Sequence, residues 1–147
     1  MQRHGCGALG NLAANNADSA VKIGAGGGEE AIVQAMGGHR GSESVQRHGC
    51  GALGNLAANN TDNAVKIGAG GGVEVIVQAM GGHRGSEDVQ SAGCTALWIL
   101  ERSNRDILQR IKRAGAEETV QRAMASPDAT ALTKYRGQEL LSLLRNV

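Results

Sequence analysis

The chain has 147 residues with 15 basic and 14 acidic side chains and a net charge near +1, so it carries no bulk field to attract nucleic acid or anionic lipid. It has no Phe, one Trp (Trp98) and one Tyr (Tyr135), which leaves Val, Ile, Leu, Met, Ala and Cys to build its core. No apolar run approaches the roughly 18 to 20 residues that span a bilayer, and the opening Met-Gln-Arg-His-Gly lacks the apolar stretch of a signal peptide, so an intracellular, cytoplasmic protein is expected, with the nucleus also open to it.

The first predicted element is a helix over 2–15, with Cys6, Leu9 and Leu12 on one side. It opens a repeat, because 2–45 and 46–89 differ at only five places: Ala17/Thr61, Ser19/Asn63, Glu29/Val73, Ala31/Val75 and Ser44/Asp88. Recent duplication and deliberate consensus building both produce such near-identity. In 45–59 the apolar set Cys50, Leu53, Leu56 and Ala57 recurs at three-to-four spacing, while Arg47, His48, Gly51, Asn55 and Asn59 fall on the other side. This is the longest helix of the unit. A helix of about two turns follows from Thr61 or Asp62 to Ile67, with Asn60 or Thr61 placed to cap its N–H groups. The glycine-rich 68–72 then turns the chain. Val73, Ile76, Val77 and Met80 mark a second amphipathic helix, and the polar loop 81–86 leads into the next long one. The register continues in diverged form after residue 89, since Leu53, Leu97 and Leu141 align, as do Leu56, Leu100 and Leu144, and Met36, Met80 and Met124.

Three cysteines at equal 44-residue intervals, Cys6, Cys50 and Cys94, are an odd count at repeat-equivalent places. They read as small buried thiols and not as a disulfide framework. His4 with Cys6 and His48 with Cys50 raise metal binding, but residues two apart on a helix point about 200° away from each other, so neither pair closes on one ion. No metal site and no cofactor are expected. The glycine runs 24–28 and 68–72 follow helices, not strands, and lack a Gly-Lys-Ser/Thr continuation, so they are turns and not phosphate cradles. Lys22, Lys66 and Arg110 form a row on the short helices, read as a solvated face. No nucleophile, base and orienting group converge. Catalysis is not expected.

A period in the low-to-mid forties built of helices points to stacked helical units. The segments Val45-Gln46-Arg47-His48-Gly49-Cys50-Gly51-Ala52-Leu53-Gly54-Asn55-Leu56-Ala57 and Val65-Lys66-Ile67-Gly68-Ala69-Gly70-Gly71 resemble the third-helix and first-helix signatures of armadillo repeats. The resemblance covers essentially the whole chain. It implies an all-α, right-handed armadillo-type solenoid of three-helix repeats, forming one domain over 1–147: an orphan third helix (2–15), repeats over 16–59 and 60–103, and a diverged capping repeat over 104–147. It also implies a scaffold whose third helices line a concave groove for an extended peptide or protein segment, where an Asn near each helix end pairs with the ligand backbone. Asn11 and Asn55 match that position, whereas Ile99 and Leu143 stand there in the last two repeats. Where the family often carries a Trp, this chain has Gly7, Gly51, Thr95 and Glu139, which counts against basic targeting peptides. With Arg3, His4, Arg47 and His48 further up the stripe, the N-terminal groove is mildly basic and hollow, suited to an acidic or bulky segment.

Trp98 replaces Gly10 and Gly54 at the groove edge, near Ile99 and Tyr135, and is expected to form either a binding hot spot or a packed step into the last repeat. Lys134, Arg136, Gln138, Glu139 and Arg145 make the terminal helix a polar cap. The opening helix has no such cover, so Cys6, Leu9 and Leu12 are expected to present an uncovered patch through which copies self-associate. The alternative to a peptide scaffold is a spacer or assembly unit with an empty groove.

Overall fold

The computed structural model of the protein describes residues 2–147, with the side chains of Gln2, Arg3, Ala13 and Asn15 outside that description. The described residues form ten helices and no strand: α1 (Gln2–Asn15), α2 (Ala17–Ala25), α3 (Gly28–Gly38), α4 (Glu43–Ala57), α5 (Thr61–Ala69), α6 (Gly72–Gly82), α7 (Glu87–Glu101), α8 (Arg105–Arg113), α9 (Ala116–Ala125) and α10 (Ala131–Leu144). After α1 the order is short, middle, long, three times over. The long helices α1, α4, α7 and α10 pack in series, each on the next. Together they form a right-handed armadillo-type α-solenoid.

Local chemistry sets the helix boundaries. Asn16, Asn60 and Asn104 cap the short helices, their Oδ1 atoms accepting from Ser19, Asn63 and Ile107 N–H. Ser42, Ser86 and Thr130 do the same for the long helices through Val45, Val89 and Thr133 N–H. That cap starts α4 at Glu43, two residues before the hydrophobic pattern begins. The helix ends at Ala57, because Asn59 takes a left-handed φ of 56°. Within the glycine-rich turn only Gly71 has a positive φ (86°), as do its counterparts Gly27 (80°) and Gly115 (79°). A side chain would strain the backbone there.

The core is a single aliphatic seam. Leu53, Leu56, Ile76, Met80, Leu97, Leu100, Leu140 and Leu144 are fully buried, as expected for repeats that bury their apolar faces mainly against neighbours. Polar groups clamp the repeats together. Gln46 and Gln90 are buried, and each donates twice to the carbonyls that end the preceding middle helix: Gln46 Nε2 to Met36 O (3.1 Å) and His39 O (2.8 Å), Gln90 Nε2 to Met80 O (2.9 Å) and His83 O (2.8 Å). Buried Asn63 donates to Ala20 O and Leu56 O, both at 3.0 Å, across a repeat boundary. The capping hydroxyls of Ser86 and Thr130 reach back to Glu43 (2.7 Å) and Glu87 (3.0 Å) of the preceding long helix.

The row Lys22, Lys66 and Arg110 is not simply solvated. Lys66 Nζ donates to Gly24 O (3.4 Å) and Arg110 pairs with Glu74 (3.6 Å), each partner one repeat back. Both cations stay exposed while each reaches a helix-terminal carbonyl or a carboxylate of the neighbouring unit.

Candidate functional site: the open face of the long helices

The apolar stripes of α4, α7 and α10 face the core and leave one partly open face on each: Arg47, Gly51 and Asn55 on α4, Ser91, Thr95 and Ile99 on α7, Tyr135, Glu139 and Leu143 on α10. The helices can lie close because of what they lack. A Cβ built on Gly10 would sit 3.1 Å from Ala52 Cα, and one on Gly54 3.3 Å from Ala96 Cα, so α1–α4 and α4–α7 meet nearly backbone to backbone. At the third step the same position is Trp98.

Trp98 is half-buried. The guanidinium groups of Arg102 and Arg136 lie 4.9 and 5.0 Å from its ring centroid, within the range of favourable cation–π attraction. Arg136 Nη1 also donates to Thr95 Oγ1. Trp98 thus packs in the α7–α10 step, the second of the two arrangements expected for it. Ile99, half-buried, places its Cδ1 3.6 Å from the Cβ position of Gly54; it closes the seam between α4 and α7. Tyr135 is exposed, at 59%.

Asn55 Nδ2 donates to Gly10 O (3.1 Å). One of its two N–H donors is therefore spent on the preceding repeat, leaving less of the amide for a ligand than its sequence position suggests. Asn11 is exposed on α1 and has an interaction within the protein. His48 is engaged as well. Its Nδ1 donates to Ser44 O (2.7 Å), its Nε2 accepts from Arg47 Nη2 (3.3 Å), and its Cδ2 comes 3.2 Å from the Cβ position of Gly7. The hollow over Gly7 is filled by an imidazole, and the hollow over Thr95 is reached by Arg136. Over Gly51 nothing among the described residues lies within 4 Å of a built Cβ. There the open face holds a depression of about 290 Å³, rimmed by Arg47, Asn55, Asp88, Ser91 and Thr95. A larger one of about 480 Å³ lies away from the long helices, between α5, α6 and α8, and contains the Arg110–Glu74 pair.

The thiols are chemically quiet. Burial pushes Cys50 and Cys94 up to about 12, with a smaller contribution from Cys94 on Cys50 and from Glu87 on Cys94. Cys6 is raised by burial too, and at 3% exposure it lies in the core instead of on an uncovered end. That corrects its place in the expected self-association patch. Leu9 is half-buried against the core, while Leu12 is 56% exposed. Arg3 belongs to the expected basic stripe, but its side chain lies outside the described residues. Among the described residues no group of three or more His, Cys, Asp or Glu is placed to hold a metal, and no helix is long and apolar enough to cross a membrane.

Sequence reasoning missed Gln46, Gln90 and Asn63 as interior clamps. It also missed that His48, Ala92 and Arg136 decide whether each hollow is open. The second had a signal, since each stands 41 residues after Gly7, Gly51 and Thr95 respectively.

No family model and no curated protein matches the sequence. Among solved structures, a designed armadillo repeat protein superposes with a TM-score of 0.84 at 24% identity, covering 97% of this chain and 58% of that one. An engineered protein of known crystal structure gives 0.83 at 22% identity, covering 95% and 55%. The chain spans a little over half the length of these structures. The helix order, the serial packing of the long helices and these superpositions together give the chain the armadillo-repeat fold.

Proposed function

We propose that the chain is a non-catalytic protein-interaction scaffold that holds an extended peptide or protein segment along the groove formed by α1, α4, α7 and α10. The observation that carries this reading is the depression over Gly51. It lies on the long-helix face, and its rim combines an amide (Asn55), opposite charges (Arg47 and Asp88) and hydroxyls (Ser91 and Thr95). Such a mixture orients a backbone and a side chain without offering a reaction centre. Nucleic acid and membrane are not the partners in this reading, because the net charge is near +1 and Lys66 and Arg110 are engaged within the stack.

The test is selection from a random peptide display library on the intact chain, followed by affinity measurement with the Asn11→Ala/Asn55→Ala double variant. Peptides should be recovered whose affinity falls at least about tenfold in the variant. Helicity by circular dichroism must be retained, since Asn55 also ties α4 to Gly10 O. Recovery of no peptide directed to this face would favour the spacer reading, in which the cross-repeat clamps are the whole purpose of the polar residues.

A further inference from the structure

We infer that the depression over Gly51 is a receptor for a single aromatic side chain bearing a ring-edge hydrogen-bond donor, supplied by the bound segment; this rests on the groove reading above. The protein itself shows what fits. The hollows over residues 7, 51 and 95 are repeat equivalents, and each is reached by the residue 41 positions later on the next long helix. Over Gly7 that residue is His48, whose imidazole edge packs at 3.2 Å from the Cβ position. Over Thr95 it is Arg136, whose planar guanidinium donates to the Thr95 hydroxyl. Over Gly51 it is Ala92, so the planar group present at the other two places is absent and about 290 Å³ stands open.

The chemistry of the opening narrows the occupant. Its floor is made by small groups, Gly51, Gly54, Ala92 and Ala96, which favour the face of a flat ring over a branched chain. Its mouth carries one cation and one anion, Arg47 and Asp88, so neither a cationic nor an anionic side chain gains from net charge. In the filled hollow the ring N–H of His48 donates to Ser44 O (2.7 Å). The repeat equivalent of Ser44 is Asp88, so the open hollow offers that same backbone carbonyl together with a carboxylate. A phenol O–H, an indole N–H or an imidazole N–H meets those acceptors; a benzyl or isobutyl group does not.

The experiment is a titration of the ¹⁵N-labelled full chain, followed by amide shifts, with N-acetyl-tyrosinamide, N-acetyl-tryptophanamide and N-acetyl-histidinamide against N-acetyl-phenylalaninamide and N-acetyl-leucinamide. The donor-bearing rings should move the Gly51, Ala92 and Thr95 amides saturably, the phenylalanine amide at least about threefold more weakly, and the leucine amide not at all. Ala92→His supplies the chain's own imidazole and should cut affinity at least about tenfold while the remaining spectrum is kept. Asp88→Ser, which copies Ser44 and leaves the hollow open, should retain ring binding but narrow the tyrosine-over-phenylalanine preference. Equal response to the leucine and tyrosine amides, or unchanged binding by a folded Ala92→His variant, would overturn the inference. So would Gly51 shifts that depend on protein concentration without probe and vanish in Tyr135→Ala, because a second copy would then be the occupant. Library peptides that bind this face with no aromatic requirement would leave the scaffold reading standing and remove this one. Ring binding at Gly51 with no peptide recovered would remove the scaffold reading and, with it, the bound segment as the source of the ring.

Discussion

Replacing Gln90 by Met keeps the volume and removes two donors. The Gln90 amide is 3% exposed and donates to Met80 O at 2.9 Å and His83 O at 2.8 Å. His83 O also accepts from Ser86 N–H at 3.0 Å, so it keeps a partner, whereas Met80 O loses its clamp at the end of α6. Two lost bonds at about 1 kcal/mol each, with a further contribution from a carbonyl left dry, put the cost at about 2 to 4 kcal/mol. At this chain length each kcal/mol moves a two-state midpoint by about 2 to 4 °C, so Tm should fall by roughly 4 to 16 °C in thermal or urea unfolding followed at 222 nm. The equivalent Gln46→Met acts on Met36 O and His39 O at 3.1 and 2.8 Å and should cost a similar amount. A loss below about 0.5 kcal/mol at both sites would refute the claim that these amides hold the repeats together.

Gly54→Leu should cost about 1 to 3 kcal/mol, measured by urea unfolding, because a Cβ there already meets Ala96 Cα at 3.3 Å; an unchanged midpoint would mean α4 and α7 do not meet as described. Thiol titration with a disulfide reagent should find Cys50 and Cys94 unreactive until the chain unfolds, since burial raises both to about 12, with Cys6 on the first helix reacting earlier. Glu101 is 8% exposed, and burial raises its carboxyl, opposed by Arg102 and reinforced by Glu139. A carboxyl raised on folding contributes stability below its unfolded value that is lost as pH rises through the folded value. Glu101→Gln should therefore be more stable than the parent at pH 7, with the gap closing as pH falls towards 4; a gap independent of pH would contradict the assignment.

The fold was legible because periodic apolar rows survive even where the rest diverges. Leu56, Leu100 and Leu144 align in the sequence and are all fully buried, and the Met36, Met80 and Met124 row keeps the phase through the altered last repeat. Helix starts were less legible. Ser42 and Ser86 sit in loops that look merely polar, and only the accepted N–H of Val45 and Val89 makes them caps. Gln46 and Asn63 escaped for a related reason: a polar letter reads as solvated until a buried carbonyl is found opposite it. The position of Trp98 at the groove edge leaves a hot spot and a packed step equally open in the sequence. The choice depends on Arg136, which belongs to another helix and covers the ring. The open hollow is likewise a property of pairs of residues on successive helices, invisible to a reading that takes one helix at a time.

In the proposed scaffold a partner segment lies on the face shared by α4, α7 and α10. Amide shift mapping of the intact chain with a library-selected peptide tests it most directly. Perturbation should concentrate at Arg47, Gly51, Asn55, Thr95 and Tyr135, with α2, α5 and α8 unmoved. Perturbation centred on the short helices, around Val65, Arg110 and Arg113, would contradict it.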